Sequence, residues 1–402
     1  MAHLTGRAYL PISFTARLPL AFLSIGVLTL IAWSTGSYAA GGLAAAITGI
    51  GQAIGGPLSG YLADRTTQRT VLLPGATAHA VLLAALVWQG FGAEDVGAPL
   101  LIIAFLTGLT CPQVGSMSRV RWQRLTEGRA TGRRELTAAL SLESMADELT
   151  FVLGPALVGF LASLASPWLP LAAAAAVTAV MVPWFALHRT AAQAQRVHDD
   201  GATATGHVAR ARWTPRAIAG VSAAVVGMMG MGGLFGTISA SSVAFAGEGG
   251  NSSAGGLFYA AMGVASAATA LSVSAWPSAW GQSARWLACS VVLVPAVALL
   301  LAVESVPAMV AVVFLIGLPI GPVLVTVYTI GSQTAPAGRM STVMTMLASG
   351  VVVGVSLGNA GAGAAADAGG SAGAFATVMT AALVLLGAAI ASALVRRRAR
   401  AR

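Results

Sequence analysis

Apolar residues run in long unbroken stretches along this chain, with short polar segments between them. A membrane-spanning helix needs about 20 mostly apolar residues. Twelve stretches reach that length: 17–38, 42–63, 71–91, 98–118, 137–164, 167–187, 215–240, 254–275, 285–303, 306–332, 341–363 and 371–395. Several are rich in Gly and Ala and poor in aromatics. Small residues let helices approach closely in lipid, where the hydrophobic effect no longer drives association. The pattern predicts an all-α membrane protein with twelve transmembrane helices. The one long polar segment, 188–214, divides the chain into two six-helix halves, 1–187 and 215–402.

Composition excludes a water-soluble globule. Of the 402 residues, 56% are hydrophobic and only 9% charged, against about a quarter charged in soluble domains. A cleaved secretory leader is the rival reading of the first apolar segment. It fits poorly, because Leu18 to Ser37 is long enough to span and eleven further spans follow. Cys111 and Cys289 both fall inside apolar spans and read as small buried residues, not as a disulfide.

Charge fixes the topology. All 22 basic residues are arginine, and arginine near span ends is retained on the cytoplasmic side. Arg7 and Arg17 precede span 1, Arg65 and Arg69 separate spans 2 and 3, and a run from Arg119 to Arg134 separates spans 4 and 5. Arg189 to Arg216 fill the central segment, Arg285 and Arg339 mark two later loops, and Arg396 to Arg402 close the chain. The opposite loops hold only acids: Glu94, Asp95, Glu248, Glu304 and Asp367. Both termini are therefore expected in the cytoplasm. The net charge of +9 is scattered over inner loops, which argues against nucleic acid as a partner. The terminal arginines instead suit anionic membrane lipid. Asn251-Ser252-Ser253 is a formal glycosylation sequon, read as chance, since arginine without lysine suggests a GC-rich bacterial genome.

A weak internal repeat crosses the division. Phe105-Leu106-Thr107-Gly108-Leu109 in span 4 recurs as Phe314-Leu315-Ile316-Gly317-Leu318 in span 10, with Pro112 and then Pro319 and Pro322 shortly after. The equivalent place in each half favours duplication. Transporters built from such repeats hold substrate near the midplane and rock one half against the other.

The segment Gly60-Tyr61-Leu62-Ala63-Asp64-Arg65-Thr66-Thr67-Gln68-Arg69 lies between spans 2 and 3. Gly60 allows close helix approach. Asp64 offers a negative charge to the positive end of another helix, and Arg65 and Arg69 can hold that carboxylate. The segment resembles the signature loop of the major facilitator superfamily, Gly-x-Leu-Ala-Asp-Arg-x-Gly-Arg-Arg. Gly60, Leu62, Ala63, Asp64, Arg65 and Arg69 match, whereas Thr67 replaces a glycine and Gln68 an arginine. The resemblance, which covers the whole chain, implies that spans 1, 4, 7 and 10 line a cavity. It also implies that the loop acts as a conformational latch against the start of span 11, favouring an outward-open state. The corresponding segment of the second half, Ser274 to Arg285, has no acid, so a latch is expected in the first half only. A purely architectural role for Asp64 and its arginines remains the alternative.

Three acids, Glu143, Asp147 and Glu148, lie inside span 5. An ionised acid at mid-bilayer costs about 2.5–3.5 kcal/mol. Counted from Arg134 at 1.5 Å per residue, Asp147 and Glu148 sit about 20 Å along the helix. They are proton-coupling candidates. The alternative is a salt-bridge network, with Arg119 and Arg121 near Glu143 and His79 near a deeper acid. The stretch Gly154-Pro155-Ala156-Leu157-Val158-Gly159 resembles the fifth-helix Gly-Pro motif of proton-driven drug antiporters in the same superfamily, although Phe160 stands where a further glycine belongs. A plain proline kink is the competing reading. Span 4 lacks the intramembrane arginine that many such antiporters use.

The candidate cavity residues are Trp33, Gln113, Met228, Phe235, Thr326 and Tyr328, with Met229 and Met231 beside them. Methionine and aromatics make an adaptable apolar wall, although packing alone explains most such residues. Gln52 and Asn359 are expected to hydrogen-bond between the halves. No metal-spaced cluster, nucleotide loop or nucleophile–base pair is evident, so no cofactor, no metal and no enzymatic activity are expected. The expectation is a monomeric transporter of a bacterial inner membrane, exporting small lipophilic or amphiphilic compounds in exchange for protons. An importer of a small neutral metabolite is the alternative, and a non-transporting membrane sensor a more distant one.

Overall fold

Apolar side chains that would be misplaced on a soluble protein cover the outside of this one. Trp88 is 86% exposed, Leu257 72% and Val81 62%, as a lipid-facing surface requires. The computed structural model describes residues 2–195, 212–249, 255–277 and 280–400. Most of the segment 188–214 and the sequon at 251–253 fall outside them.

Among the described residues every regular element is a helix. The long ones are α1 (Tyr9–Thr35), α2 (Tyr38–Arg65), α3 (Gln68–Phe91), α4 (Ala98–Thr126), α5 (Gly132–Leu164), α6 (Leu169–Leu187), α7 (Pro215–Glu248), α8 (Gly255–Ser272), α9 (Gln282–Ala298) and α10 (Val306–Thr334). The final helical stretch, Met340–Arg400, breaks at Gly369 and Gly370 and is treated as α11 (340–368) and α12 (371–400). Gly370 has φ 61°, a conformation that glycine adopts without strain. Nine of the described helices are long and apolar enough to cross a membrane, counting α11 and α12 together, and ten if the two arms of α5 form one span. Glycine-rich α2 is not among them. The arms of α5 meet at a 41° bend between Phe151 and Ala156, where Pro155 has no N–H to give to the carbonyl of Phe151.

The helices gather into two compact units. Unit 1 comprises residues 1–132, 153–210 and 337–349; unit 2 comprises 133–152, 211–336 and 350–402. Each unit is thus built mainly from one run of six helices and takes one segment from the other run. Unit 1 includes the start of α11, and unit 2 includes the first part of α5. In unit 1 the apolar core centres on α1, whose Leu23, Val27 and Leu30 pack with Leu83 of α3, Ala104 of α4 and Leu171 of α6.

Glycine sets the helix spacing. In unit 1, α2 and α4 meet where Gly51 and Gly55 lie against the carbonyls of Phe105 and Leu109, and Gly108 lies against that of Thr48. In unit 2, α8 and α10 meet where Gly317 and Gly321 lie against the carbonyls of Met262 and Ser266. Gly108 and Gly317 are the matching glycines of the repeated pentapeptide, and they make the same kind of contact in each unit. The repeat is therefore structural as well as textual.

A Cβ at Gly108 would press on the backbone carbonyl of Thr48, which no rotamer change relieves. Gly108→Ala is expected to cost about 1–3 kcal/mol through overpacking. Gly159→Ala, where nothing lies within 4 Å, should cost nothing. Thermal melting of the two purified variants checks this, and equal Tm values for both would refute the seam.

Candidate functional site

The segment between α2 and α3 is almost entirely helical. α2 runs through Arg65, and Thr67 is already the N-cap of α3, its hydroxyl accepting from Thr70 N in a reciprocal capping box. Only Thr66 and Thr67 form a turn. The carboxylate of Asp64 leaves the end of α2 and meets the first turn of α11. Its Oδ1 accepts from Ser341 N at 2.9 Å. Its Oδ2 accepts from Thr342 N and from Thr342 Oγ1, both at 2.7 Å. The first N–H groups of a helix have no partner within it, and the positive end of the helix favours an anion there. One carboxylate thus satisfies two such groups and a hydroxyl. Gly60, one turn earlier in α2, makes the approach possible: it lies against Thr345 Oγ1 and the carbonyl of Ser341.

The arginines of the segment do other work. Arg65 lies over the ring of Tyr61 at 4.4 Å, and Arg339 faces the same ring at 5.5 Å. Arg69, expected to hold Asp64, instead donates to the carbonyls of Ala186 at 3.3 Å and Leu187 at 3.2 Å. Those carbonyls end α6 and lack helical partners, so a guanidinium is drawn to them. The two departures from the family pattern also have their own partners. Thr67 caps α3. Gln68 donates to Met117 O at 3.1 Å and accepts from Arg121 Nε at 2.7 Å. Arg121 is fully buried, donates to Phe185 O at 2.8 Å, and stacks on the Phe185 ring at 3.8 Å.

α4 carries a second polar seam in unit 1. Its helix breaks between Leu109 and Val114, because Pro112 offers no N–H and Cys111 N turns back to Gly108 O at 3.1 Å. That leaves Thr107 O without its usual donor. His79 Nδ1 fills the gap at 2.9 Å, in place of the acid expected beside it. Gln113 Nε2 donates to Cys111 O at 3.1 Å, and Gln52 Nε2 lies 3.6 Å from Cys111 Sγ. Gln52 is therefore used within unit 1, and Asn359 is exposed. Both cysteines are free thiols.

In unit 2 the acids of α5 divide. Glu148 is buried, and its one hydrogen bond among the described residues comes from Ser266 Oγ of α8 at 2.8 Å. Glu143 is buried and Asp147 half-buried, and both have partners. Ser266 does not stand out in the sequence, where a lone serine in an apolar span is unremarkable. Gly154 packs on Ala21, Gly159 is exposed, and the side chain of Pro155 lies outside the described residues.

The candidate cavity residues are divided between the units, Trp33 and Gln113 in unit 1 and Met228, Phe235, Thr326 and Tyr328 in unit 2. Trp33 is 51% exposed and stacks on Phe91 at 5.6 Å. Met228 is buried against Gly350, and Phe235 stacks on Phe151 at 5.9 Å. Thr326 turns its hydroxyl back to Pro322 O at 2.7 Å, and Tyr328 is buried.

The sequence profile described as Major Facilitator Superfamily matches residues 10–359. No curated protein matches in sequence. Among solved structures, the human organic anion transporter MFSD10 (TETRAN) superposes with TM-score 0.70 at 18% identity, covering 95% of this chain and 99% of that one. FucP, a transporter of the Major Facilitator Superfamily in the outward conformation, superposes with TM-score 0.61 at 12% identity, covering 94% and 98%. At these identities the likeness is one of fold.

Two predictions follow from the contacts of the α2–α3 segment. Asp64→Asn and Thr342→Ala should each lower stability, the former by about 1.5–3 kcal/mol as hydrogen bonds to a charged group are lost. The double variant should fall short of the sum, because the two share one contact; additive Tm losses would count against the clasp. Gln68→Arg, which restores the family residue, should destabilise by about 3 kcal/mol or more. It removes the acceptor of buried Arg121 and sets a second cation beside it. An unchanged melting curve would show that Arg121 does not depend on Gln68.

Proposed function

The chain belongs to the major facilitator superfamily; it is an integral, multi-pass secondary transporter of small molecules and not an enzyme, and we propose that it exchanges protons for small lipophilic or amphiphilic compounds leaving the cell. In this reading the chain crosses a bacterial plasma membrane twelve times with both termini in the cytoplasm. It works as a monomer of two six-helix halves, 1–187 and 215–402, joined by 188–214. Alternating access by movement of one half against the other moves the substrate past the midplane.

One observation carries the proton coupling. Glu148 is buried in a membrane helix with a single hydroxyl donor and, among the described residues, no cation. Intramembrane ionisable groups are costly and serve function by default. A carboxyl with one donor for two oxygens is relieved when it takes up a proton, and a change of conformation that alters its access to water gives that proton a route. Asp147 and Glu143, which have partners, are secondary candidates. The Asp64 clasp on α11 serves in the same cycle as a conformational latch, with Gly60 allowing the close approach while Arg65 and Arg69 brace the neighbouring Tyr61 ring and the end of α6: it holds one state and releases in the other. The absence of basic residues among Trp33, Gln113, Met228, Phe235, Thr326 and Tyr328 favours neutral or cationic substrates over anions.

Everted vesicles with an acidic interior test this. A panel of lipophilic cations, neutral amphiphiles and sugars is added in turn while interior pH is followed. Wild type should release protons with one class of compound, and Glu148→Gln should reduce that release at least tenfold while still binding substrate. Substrate movement without proton release, or full coupling in Glu148→Gln, would remove Glu148 from the mechanism. Accumulation in the opposite direction would establish import.

A further inference from the structure

Near the start of α5, Thr137, Ser141, Ser144 and Glu148 follow one another at intervals of four, three and four residues. That spacing puts all four on one stripe of a helix, and the stripe lies within the first arm of α5, before its bend. Side chains sink into the protein along it. Arg134, one turn before Thr137, is exposed and Thr137 is half-buried, whereas Ser141 is 1%, Ser144 0% and Glu148 1% exposed. The adjacent stripe, Leu136 and Leu140, is apolar and packs on Ala270 and Val273 of α8 and Val325 of α10. The hydroxyls therefore run beside the same contact with α8 that brings Ser266 to Glu148.

The Ser141 and Ser144 hydroxyls are buried with no hydrogen-bond partner among the described residues. A hydroxyl inside a helix ordinarily turns back to a carbonyl of the preceding turn. Thr150 does so on the opposite face of α5, donating to Ala146 O at 2.7 Å. Ser141 and Ser144 do not. Close packing alone would be served as well by alanine, which stands at 138, 139 and 146 of the same helix. A buried hydroxyl in this state is costly unless water takes its donor and acceptor sites. Neighbours on the stripe are about 4.5–6 Å apart along the helix, a gap that one bridging water closes. We propose that Ser141 and Ser144, through such water, carry the proton between Glu148 and the start of α5. The path rests on Glu148 as the proton carrier. On release, the carboxyl gives its proton to a bridging water. Each oxygen along the stripe then accepts one proton and hands on its own, and one proton leaves to water near Thr137. Glu148 is left as the carboxylate, and no other bond changes. Uptake is the same sequence reversed. In the topology proposed above this end of α5 is cytoplasmic, so the stripe is the exit for protons that drive export.

Infrared spectroscopy reads the path without any substrate. Purified protein in lipid is moved from light to heavy water over a series of pH values. The shift of the C=O stretch of the protonated carboxyl then reports how fast Glu148 exchanges its proton. The band that belongs to Glu148 is the one lost in Glu148→Gln. Exchange should slow in Ser141→Ala and in Ser144→Ala, and by about tenfold or more in the double variant, a lost relay group being worth at least that in proton transfer. Alanine nearly keeps the volume and removes hydroxyls that have no partner to lose, so these variants should fold as wild type does. Thr150→Val, on the opposite face with its own carbonyl, should exchange at the wild-type rate. Wild-type exchange in the double variant, or an equal slowing in Thr150→Val, would overturn the path and leave Glu148 as the carrier. If no carboxyl band is lost in Glu148→Gln, the carrier and the path fall together.

Discussion

Close backbone approach at glycine is the constraint on which the other contacts depend. In lipid, helices gain little by burying apolar side chains against each other, so association needs near contact of the chains themselves. Gly51, Gly55 and Gly108 provide it between α2 and α4, and Gly317 and Gly321 between α8 and α10. The polar contacts are arranged around these seams. α2 uses one face for α4 and another, at Gly56 and Gly60, for the start of α11, which brings Asp64 to Ser341 and Thr342. α8 packs the carbonyl of Ser266 on Gly321 while the hydroxyl of the same residue reaches Glu148. A shift of one seam by a fraction of an ångström would move the carboxylate contact of its own unit.

A second constraint is that backbone polar groups in a lipid-embedded fold need internal partners. Helix ends and breaks are where that need is sharpest, and the chain answers it with side chains from distant elements. Asp64 serves the N-terminus of α11. Glu248, at the end of α7, does the same for α12, accepting from Ser371 N at 2.6 Å and Ser371 Oγ at 2.7 Å. Arg69 serves the C-terminus of α6, and His79 serves the carbonyl freed by the break in α4. Three of these four are charged residues that look, one at a time, like candidates for chemistry. Their partners show helix-end duty instead.

The sequence makes the helices, their order and the 60–69 segment legible because these follow from local properties: apolar length, arginine position and a short motif. What it leaves hidden are pairings set by tertiary structure. Nothing in Ser341 or Thr342 announces that their backbone N–H groups will receive Asp64, because an N–H has no residue signature. Arg69 and Ala186 are 117 residues apart, and the attraction is to a carbonyl that any residue could supply. Gln68 looks like a lost arginine until Arg121 is seen against it. The assignment of 133–152 to unit 2 and 337–349 to unit 1 is likewise a matter of packing, since those residues continue helices without a break in hydropathy.

Asp64 and Glu148 show how one functional group is given two roles by its surroundings. Asp64 has three donors at 2.7–2.9 Å on a helix N-terminus. Its negative charge is therefore matched by donors aimed at it, and its release requires those three bonds to break together. Such an arrangement suits a contact that is either made or unmade. Glu148 has one neutral donor at 2.8 Å inside the protein, so much of the cost of its charge remains uncompensated. A carboxyl of that kind responds to access to water and to protons, and not to the position of a helix end. In the proposed cycle the first holds a conformation and the second reports one. A transport cycle that couples proton movement to alternating access needs one of each.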